Sequence, residues 1–186
     1  MNPHPSVAGV VLTGGASRRM GTDKALLEVR GRALALTVAD ALSGAGCRPV
    51  WCQGGDESAL RALGLDVVPD ELPGEGPLVA TLAALRRSDG EIVVAACDLP
   101  ELDVAAVEAV LAPSLADRDV AVAVAGGRRH LLARWSATAA ASVGELVDGG
   151  VRSYMAALDR LRVVQVIVDP AAVRNLNEPG QAAEYR

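Results

Sequence analysis

The chain has 186 residues, of which 51% are hydrophobic and 22% are charged, and its formal net charge at pH 7 is -5. This composition is that of a globular protein and excludes intrinsic disorder. The negative charge and the 2% of aromatic residues argue against a nucleic-acid-binding surface.

Short β-branched runs alternate with helical patterns from one end of the chain to the other. In chain order the pattern predicts a strand at 7–13, a helix at 32–43, a strand at 49–52, a helix at 58–63 ending at Gly64, a strand at 65–68, a Pro- and Gly-rich loop at 70–77, a helix at 78–87, a strand at 91–97, a helix at 104–111, strands at 120–125 and 131–135 around the turn GGRR, helices at 136–147 and 152–161, a strand at 163–168 and a terminal helix at 178–186.

Such alternation predicts βαβ units. We expect an α/β, Rossmann-like fold with a mixed, mainly parallel sheet and helices on both faces, in a single domain over residues 1–186. Ligands of such sheets bind outside the carboxyl ends of the strands. The loops after the strands at 7–13, 65–68, 91–97 and 163–168 are therefore where a site is expected.

The three cysteines, Cys47, Cys52 and Cys97, do not complete a zinc set, because the chain has only two histidines. We expect buried structural thiols in a reducing cytoplasm. The first residues lack the positive charge of a signal peptide. Apolar runs also end well before the ~18 residues of a membrane span, so a cytoplasmic protein without a membrane partner is expected.

The segment LTGGASRRMGTDKA, residues 12–25, follows the first strand directly. It contains three glycines and three basic residues: Gly14, Gly15, Gly21, Arg18, Arg19 and Lys24. Glycines let a phosphate approach backbone N–H groups closely, and the cations suit the same ligand. The segment matches neither the P-loop nor the dinucleotide fingerprint. An ordinary glycine turn with solvated arginines is the alternative, but the combination favours anion binding.

Lys24 is the only lysine, against seventeen arginines among the 18 basic residues. A compact ammonium at one place, in a chain that otherwise uses arginine, indicates a site that needs this shape and not merely a charge. Chance retention of a surface lysine is the alternative.

Two further groups of polar residues follow predicted strands. Asp98 follows an apolar strand and precedes Leu99-Pro100, as expected of a carboxylate that holds Mg²⁺ between phosphates; a helix N-cap is the alternative, although Asp103 is better placed for that. Asp70 could equally lie in a solvated turn. Asn175 and Asn177 follow the last strand and could face a ligand or form an Asx-turn.

The chain resembles the nucleotidyltransferases with the sugar-nucleotide-pyrophosphorylase fold, and most specifically the molybdenum cofactor guanylyltransferases. The resemblance covers nearly the whole chain. It is carried by the segment at 12–25 and by four others: PDELPGEGPLVATLAAL at 69–85, AACDLPELD at 95–103, RSYMAAL at 152–158 and NLNEP at 175–179.

The resemblance implies a role for each matching residue. The backbone of Leu12, Thr13 and Gly14 would hold guanine, Gly15 the phosphates, Arg19 and Lys24 the triphosphate, and Asp98 would be catalytic and bind Mg²⁺. Asp70 and Gly76 would contact the nucleotide, and Asn175 and Asn177 would lie beside the metal on the acceptor side. His130 would face the pterin and Arg152, with Ser153, the acceptor phosphate; a surface histidine and a helix start are the alternatives. The family has an Asn-Arg pair where this chain has Gln53-Gly54, which leaves Gln53 as an amide substitute.

The resemblance implies transfer of GMP from GTP to the phosphate of molybdenum-molybdopterin with release of pyrophosphate. Contacts with molybdoenzymes or other cofactor-biosynthesis proteins are also implied, whereas no nucleic-acid partner is expected. Two alternatives stay open: a cytidylyltransferase of the same fold, acting on molybdopterin or another small phosphorylated acceptor, and a nucleotide-binding regulatory module without enzymatic activity.

Overall fold

The structure is a computed structural model, and it describes residues 7–14 and 23–176. Its strands are β1 (Ala8–Leu12), β2 (Glu28–Val29), β3 (Arg32–Ala33), β4 (Val50–Gln53), β5 (Val67–Val68), β6 (Ile92–Ala96), β7 (Val120–Ala125), β8 (Arg128–Trp135) and β9 (Val163–Ile167). Its helices are α1 (Leu34–Gly44), α2 (Glu57–Ala62), α3 (Pro77–Arg87), α4 (Val104–Leu111), α5 (Ala139–Asp148) and α6 (Tyr154–Leu158), and a 3₁₀ turn covers Lys24–Leu26.

The described residues form a seven-stranded sheet in the order β5-β4-β1-β6-β8-β7-β9, and β2 pairs with β3 in a small separate hairpin. Strand β8 runs antiparallel to both of its neighbours, and the other pairs in the large sheet are parallel. The prediction of a mixed, mainly parallel sheet is confirmed. Strand β1 lies between β4 and β6. The connection after β1 leads to one side of this strand, and the connection after β5 returns to its other side. This reversal of strand order opens a crevice for ligands.

Alternate residues of the central strands face opposite helix layers, because successive side chains of a strand point to opposite sides. On β1, Val11 packs in the cluster that contains α1 and α4, whereas Val10 and Leu12 pack in the cluster that contains α3, α5 and α6. The near-continuous apolar strands thus pack against helices on both faces, as the sequence predicts.

Several predicted boundaries differ from the structure. The helix predicted at 32–43 begins at Leu34, because Arg32–Ala33 pair with β2 as β3, and the strand predicted at 65–68 covers only Val67–Val68. The hairpin between β7 and β8 turns on Gly126-Gly127, both at positive φ, so Arg128 and Arg129 belong to β8 and not to the turn. Two residues at positive φ suffice to reverse the chain in this way. Helix α6 is shorter than the predicted 152–161, since it begins after the cap at Ser153, and α5 begins at Ala139 and not at residue 136. The predicted helix at 178–186 lies outside the described residues.

Several local predictions are confirmed. Gly64, just past α2, has φ +81, and the Asp103 carboxylate accepts a hydrogen bond of 2.8 Å from the N–H of Ala106 at the start of α4. Cys47 and Cys52 are buried free thiols, and burial raises the pKa of each to about 11. Cys97 is only half-buried, at the start of the loop after β6. Among the residues the structure describes, no helix is long and apolar enough to cross a membrane.

Candidate active site

The carboxyl ends of four strands lie level with one another. Leu12 pairs with Gln53 on one side and with Ala96 on the other, and Gln53 pairs in turn with Val68. The residues that follow these strands therefore leave the sheet side by side. Most of the residues predicted to bind a nucleotide lie in these loops.

The loops after β1 and β4 are in backbone contact. The N–H groups of Thr13 and Gly14 donate to the carbonyl of Gln53 at 3.1 and 3.0 Å, and the Thr13 hydroxyl donates to the carbonyl of Gly54 at 2.7 Å. A Cβ on Gly54 would lie 2.9 Å from the Cα of Gly14, and one on Gly14 would lie 3.1 Å from Oδ2 of Asp70. This surface is therefore made of backbone with the Asp70 carboxylate beside it; Gly54 has no room for a side chain, and one on Gly14 would require the carboxylate to move.

The side-chain amide of Gln53 is hydrogen-bonded within the protein and does not face the site. Its side chain is 2% exposed; Oε1 accepts from Nε1 of Trp51 at 3.2 Å, and Nε2 donates to the carbonyl of Pro69 at 3.3 Å. The amide thus connects β4 to the loop after β5. A contact with a nucleotide, as predicted from the resemblance, would require these hydrogen bonds to be exchanged.

Lys24, Asp98 and Asn175 meet at the same edge of the sheet. The Lys24 ammonium lies 3.7 Å from Oδ2 of Asp98 and donates to the carbonyl of Leu176 at 3.2 Å. Nδ2 of Asn175 donates to Oδ1 of Asp98 at 2.8 Å, and the N–H of Leu176 donates to the backbone carbonyl of Asp98 at 2.9 Å. These contacts tie the segment after β9 to the loop after β6. Lys24 is not a free surface lysine, because its side chain is only 21% exposed.

Burial determines the charge behaviour of Asp98. Removal from water raises the pKa of this carboxyl, although the Lys24 ammonium and the Asn175 amide act in the opposite direction. A carboxylate held in a desolvated position has strong affinity for a cation, since a cation restores the stabilisation that water would give. The two hydrogen-bonding groups fix the direction in which it points.

The described residues fit a shared metal better than a closed metal cage. Among residues 7–14 and 23–176, no group of three or more His, Cys, Asp and Glu side chains could hold a metal ion. Asp98 offers an oxygen donor at a partly exposed position, 18% of its side chain being accessible. Mg²⁺ commonly binds one or two carboxylates together with phosphates of the substrate, so a single carboxylate beside a phosphate site is an adequate donor set.

Arg152, predicted on the acceptor side, lies near Gly76, a predicted nucleotide-binding residue at the start of α3. Gly76 caps α3 with φ +92, and a Cβ there would lie 3.8 Å from the carbonyl of Arg152. The Arg152 guanidinium donates to Glu75 at 2.8 Å and to the carbonyl of Val147 at 2.7 Å. Ser153 accepts from the N–H of Ala156 at 3.2 Å, so it starts α6, the structural alternative for that residue.

His130 is half-buried on β8. It lies two residues before Leu132, which pairs with Ala95 of β6. It lies inside the strand, at the same edge of the sheet as Asp98, and not at the strand's first residue. The predicted site residues Gly15, Arg19 and Asn177 lie outside the described residues.

Two groups that contact the site were not predicted from the sequence. The carbonyl of Leu176 and the carboxylate of Asp23 both contact the segment around Lys24. A backbone acceptor leaves no signal in a sequence. Asp23 did carry one, because an Asp directly before a short apolar run is a common helix cap.

A cavity of about 470 Å³ lies elsewhere, at the amino ends of the strands. Its lining includes Ala8, Val50, Trp51, Val67 and Gly90. It contains none of the residues of the site described above. In parallel sheets ligand chemistry belongs to the carboxyl ends, so this cavity is separate from the candidate active site.

A glycine backbone cradle, a single lysine and a half-buried carboxylate at a switch point of a mainly parallel sheet define a nucleotide-binding α/β enzyme of the nucleotidyltransferase class. The sequence profile of the MobA-like NTP transferase domain matches residues 9–162. The chain belongs to this family.

Relatives agree over nearly the whole length. Proteins from Mycobacterium tuberculosis and Opitutus terrae, each named "Probable molybdenum cofactor guanylyltransferase", are 34% identical to this chain. The alignments cover 92% and 94% of this chain and 89% and 92% of those proteins.

Solved structures of the same fold are similar in shape. Molybdopterin-guanine dinucleotide biosynthesis protein A from Archaeoglobus fulgidus superposes with a TM-score of 0.77 at 25% identity, over 96% of each chain. A Mycobacterium tuberculosis protein solved as a complex with manganese superposes with a TM-score of 0.68 at 22% identity, over 97% of this chain and 98% of that one. The second likeness shows the fold alone.

Proposed function

We propose that this chain, acting as one nucleotidyltransferase domain over residues 1–186, transfers GMP from GTP to the terminal phosphate of molybdenum-molybdopterin. An oxygen of the acceptor phosphate forms a bond to the α-phosphorus of GTP. The bond from that phosphorus to the bridging oxygen breaks, and pyrophosphate leaves with the electron pair. The acceptor phosphate is already anionic at neutral pH, so the reaction needs no general base.

The observation that carries this proposal is the meeting of Lys24 and Asp98 beside the Gly14 backbone. Transfer to a phosphate mainly requires positioning and neutralisation of negative charge. The Lys24 ammonium supplies a positive charge at the edge where the triphosphate would lie, and Arg19 is proposed as a second. Asn175 orients the Asp98 carboxylate. Family membership and the names of the relatives support the same reaction.

We propose Mg²⁺ as the metal, held by Asp98. When bound there, Mg²⁺ would neutralise charge on the phosphate oxygens during transfer. The chain's own contribution is to aim the carboxylate through the Asn175 hydrogen bond, while the Lys24 charge favours the ionised form against the effect of burial.

The backbone at Thr13 and Gly14 favours guanine over cytosine. Both N–H groups donate to Gln53, so a base at these residues would be contacted through carbonyl groups. The pairing edge of guanine carries N–H donors at N1 and N2, whereas that of cytosine carries one amino group and two acceptors. Carbonyl acceptors can therefore satisfy more of the guanine edge.

The test is pyrophosphate release by the purified protein with Mg²⁺ and each nucleoside triphosphate, with and without molybdopterin. We expect release with GTP only when the acceptor is present. Release with CTP and acceptor would transfer the protein to the cytidylyltransferase alternative. Tight GTP binding without turnover under any condition would indicate a regulatory module, and the proposal would be wrong.

A further inference from the structure

Asp23 connects two separate segments of the site with its two carboxylate oxygens. Oδ1 accepts from the N–H of Ala25 at 3.0 Å and so caps the 3₁₀ turn that contains Lys24. Oδ2 accepts from the N–H of Asp56 at 3.1 Å, in the loop between β4 and α2. A single side chain therefore fixes the residue next to Lys24 to the neighbouring loop.

Both attachment points are themselves held in place. Ala25 is fully buried in the core, and the 3₁₀ turn continues with hydrogen bonds from Leu26 to Asp23 and from Leu27 to Lys24. The Asp56 carboxylate accepts from Ala59 at 3.0 Å and caps α2. Asp23 thus joins two rigid elements.

The loop at residues 53–56 also contacts the residue that precedes residues 15–22, the part of the glycine-rich segment between Gly14 and Asp23. Gly14, which precedes residues 15–22, donates to the carbonyl of Gln53, and Asp23, which follows them, accepts from Asp56. Residues 53–56 therefore anchor the chain on both sides of that segment. Fixing both ends of a loop before the ligand arrives lowers the entropy that binding must remove.

The location of a carboxylate here calls for a physical reason. An extra negative charge beside Lys24 would repel a triphosphate, and a cap alone needs only one acceptor, as Ser153 provides for α6. Both oxygens of Asp23 accept from backbone N–H groups, which offset the negative charge. The second oxygen thereby holds the turn to the loop after β4.

We propose that Asp23 is a positioning residue for Lys24; this inference rests on the proposed function. By holding the turn against the loop after β4, it sets the place of the lysine before a triphosphate binds. It does not contact substrate.

The first test compares Asp23→Ala, Asp23→Ser and the matched control Asp103→Ala, which loses a similar cap on α4. We expect Asp23→Ala to lower kcat/KM for GTP by about 10- to 100-fold, the effect of a charge displaced by about 1 Å. Asp23→Ser keeps one acceptor but not the tether, so it should resemble Asp23→Ala. Asp103→Ala should stay within about twofold of wild type. Wild-type activity in Asp23→Ala, or full rescue by serine, would overturn the tether.

The second test is a double-mutant cycle with Lys24→Ala. If Asp23 acts through Lys24, adding Asp23→Ala to Lys24→Ala should cost less than about threefold more. Additive losses would contradict the inference.

The dissociation constant of Mg-GTP, measured by calorimetry, gives a readout that does not require turnover. A wild type that binds Mg-GTP without transfer would refute the proposed function. In that case, weaker Mg-GTP binding by Asp23→Ala than by wild type would still support this inference. Equal binding by the two proteins would refute it. A wild type that does neither refutes both.

Discussion

The Lys24 ammonium is held by two oxygens, at 3.2 Å from Leu176 and 3.7 Å from Asp98. An ammonium on a thin stem fits between two such groups, whereas a planar guanidinium needs more width and directs its donors differently. We therefore predict that Lys24→Arg lowers kcat/KM by about 100-fold, because a displacement of about 1 Å in a preorganised site has an effect of this size. Steady-state kinetics beside Lys24→Ala will measure it.

The matched control is Arg61→Lys, an exchange of the opposite sense in the exposed Arg61–Glu57 pair on α2. It should leave the rate unchanged, and circular dichroism should show all the variants folded. Near-full activity of Lys24→Arg, with loss only in Lys24→Ala, would mean that charge alone matters. Activity in both would remove Lys24 from the site.

Asp98→Asn separates charge from shape at the proposed metal position. The amide carbonyl can still accept from Asn175, so we expect the fold and its unfolding midpoint to be nearly unchanged. Turnover should fall by about 100- to 1000-fold, as when one group that stabilises developing charge is removed. The rate should be measured over a range of Mg²⁺ concentrations. A variant within a few-fold of wild type at every concentration would make the metal assignment wrong.

At the scale of the elements, the loops after β1 and β4 approach each other through the backbone of Gly14 and Gly54. We predict that Gly54→Ala weakens Mg-GTP binding by about tenfold, because its Cβ would lie 2.9 Å from the Gly14 Cα and would force the two loops apart. The positive φ of +78 should add about 1–2 kcal/mol of lost stability.

Gly64→Ala is the matched control, since Gly64 has φ +81 but no heavy atom within 4 Å of an added Cβ. Gly64→Ala should lose only the unfolding free energy that the positive φ costs, measured in urea, and Gly54→Ala should lose more because of its close contact. Only Gly54→Ala should show a raised dissociation constant by calorimetry. Equal dissociation constants in the two variants would show that the close contact is not part of the binding surface.

The elements themselves follow largely from local patterns. The long apolar strands such as β1 and β6 and the helices α3 and α4 have clear periodicity and were predicted within a residue or two. The two-residue strands β2 and β3 are too short for any pattern and were missed. Lys24 and Asp98 were predicted from residue type and position, whereas the tether from Asp23 to Asp56 depends on a meeting of distant segments that no local pattern encodes.

At the scale of the whole molecule, Asp119 fastens the edge of the sheet opposite the active site. It precedes β7, is 3% exposed and receives three hydrogen bonds from Arg162, which precedes β9: from the backbone N–H at 2.9 Å, from Nε at 3.1 Å and from a terminal nitrogen at 2.8 Å. Its backbone carbonyl accepts from Ser136 after β8 at 2.9 Å. One residue thus connects the ends of three strands.

These hydrogen bonds hold the pKa of Asp119 below its ordinary value. A lowered pKa in the folded state means that the carboxylate stabilises the fold above the unfolded-state pKa of about 3.9 and loses this contribution as the pH falls through the folded-state pKa. We predict that Asp119→Asn lowers the unfolding free energy by about 1–3 kcal/mol near neutral pH. The difference from wild type should shrink progressively below about pH 4.

Urea unfolding of both proteins between about pH 7 and about pH 3 measures this dependence. The control is Asp117→Asn, because Asp117 is 78% exposed and its ion pair, with its neighbour Arg118 at 3.6 Å, is on the surface; it should change stability by less than about 0.5 kcal/mol. A pH-independent difference for Asp119→Asn would show that its charge does not stabilise the fold.

The hydrogen bond from Lys24 to Leu176 joins residues 152 positions apart. Lys24 is therefore synthesised long before the carbonyl that holds it, and a nascent chain that has reached only α6 has the lysine but neither β9 nor the acceptor carbonyl. Such a chain would hold its lysine loosely and would bind nucleotide weakly. Firm placement of the lysine therefore requires the last strand of the sheet and the segment that follows it.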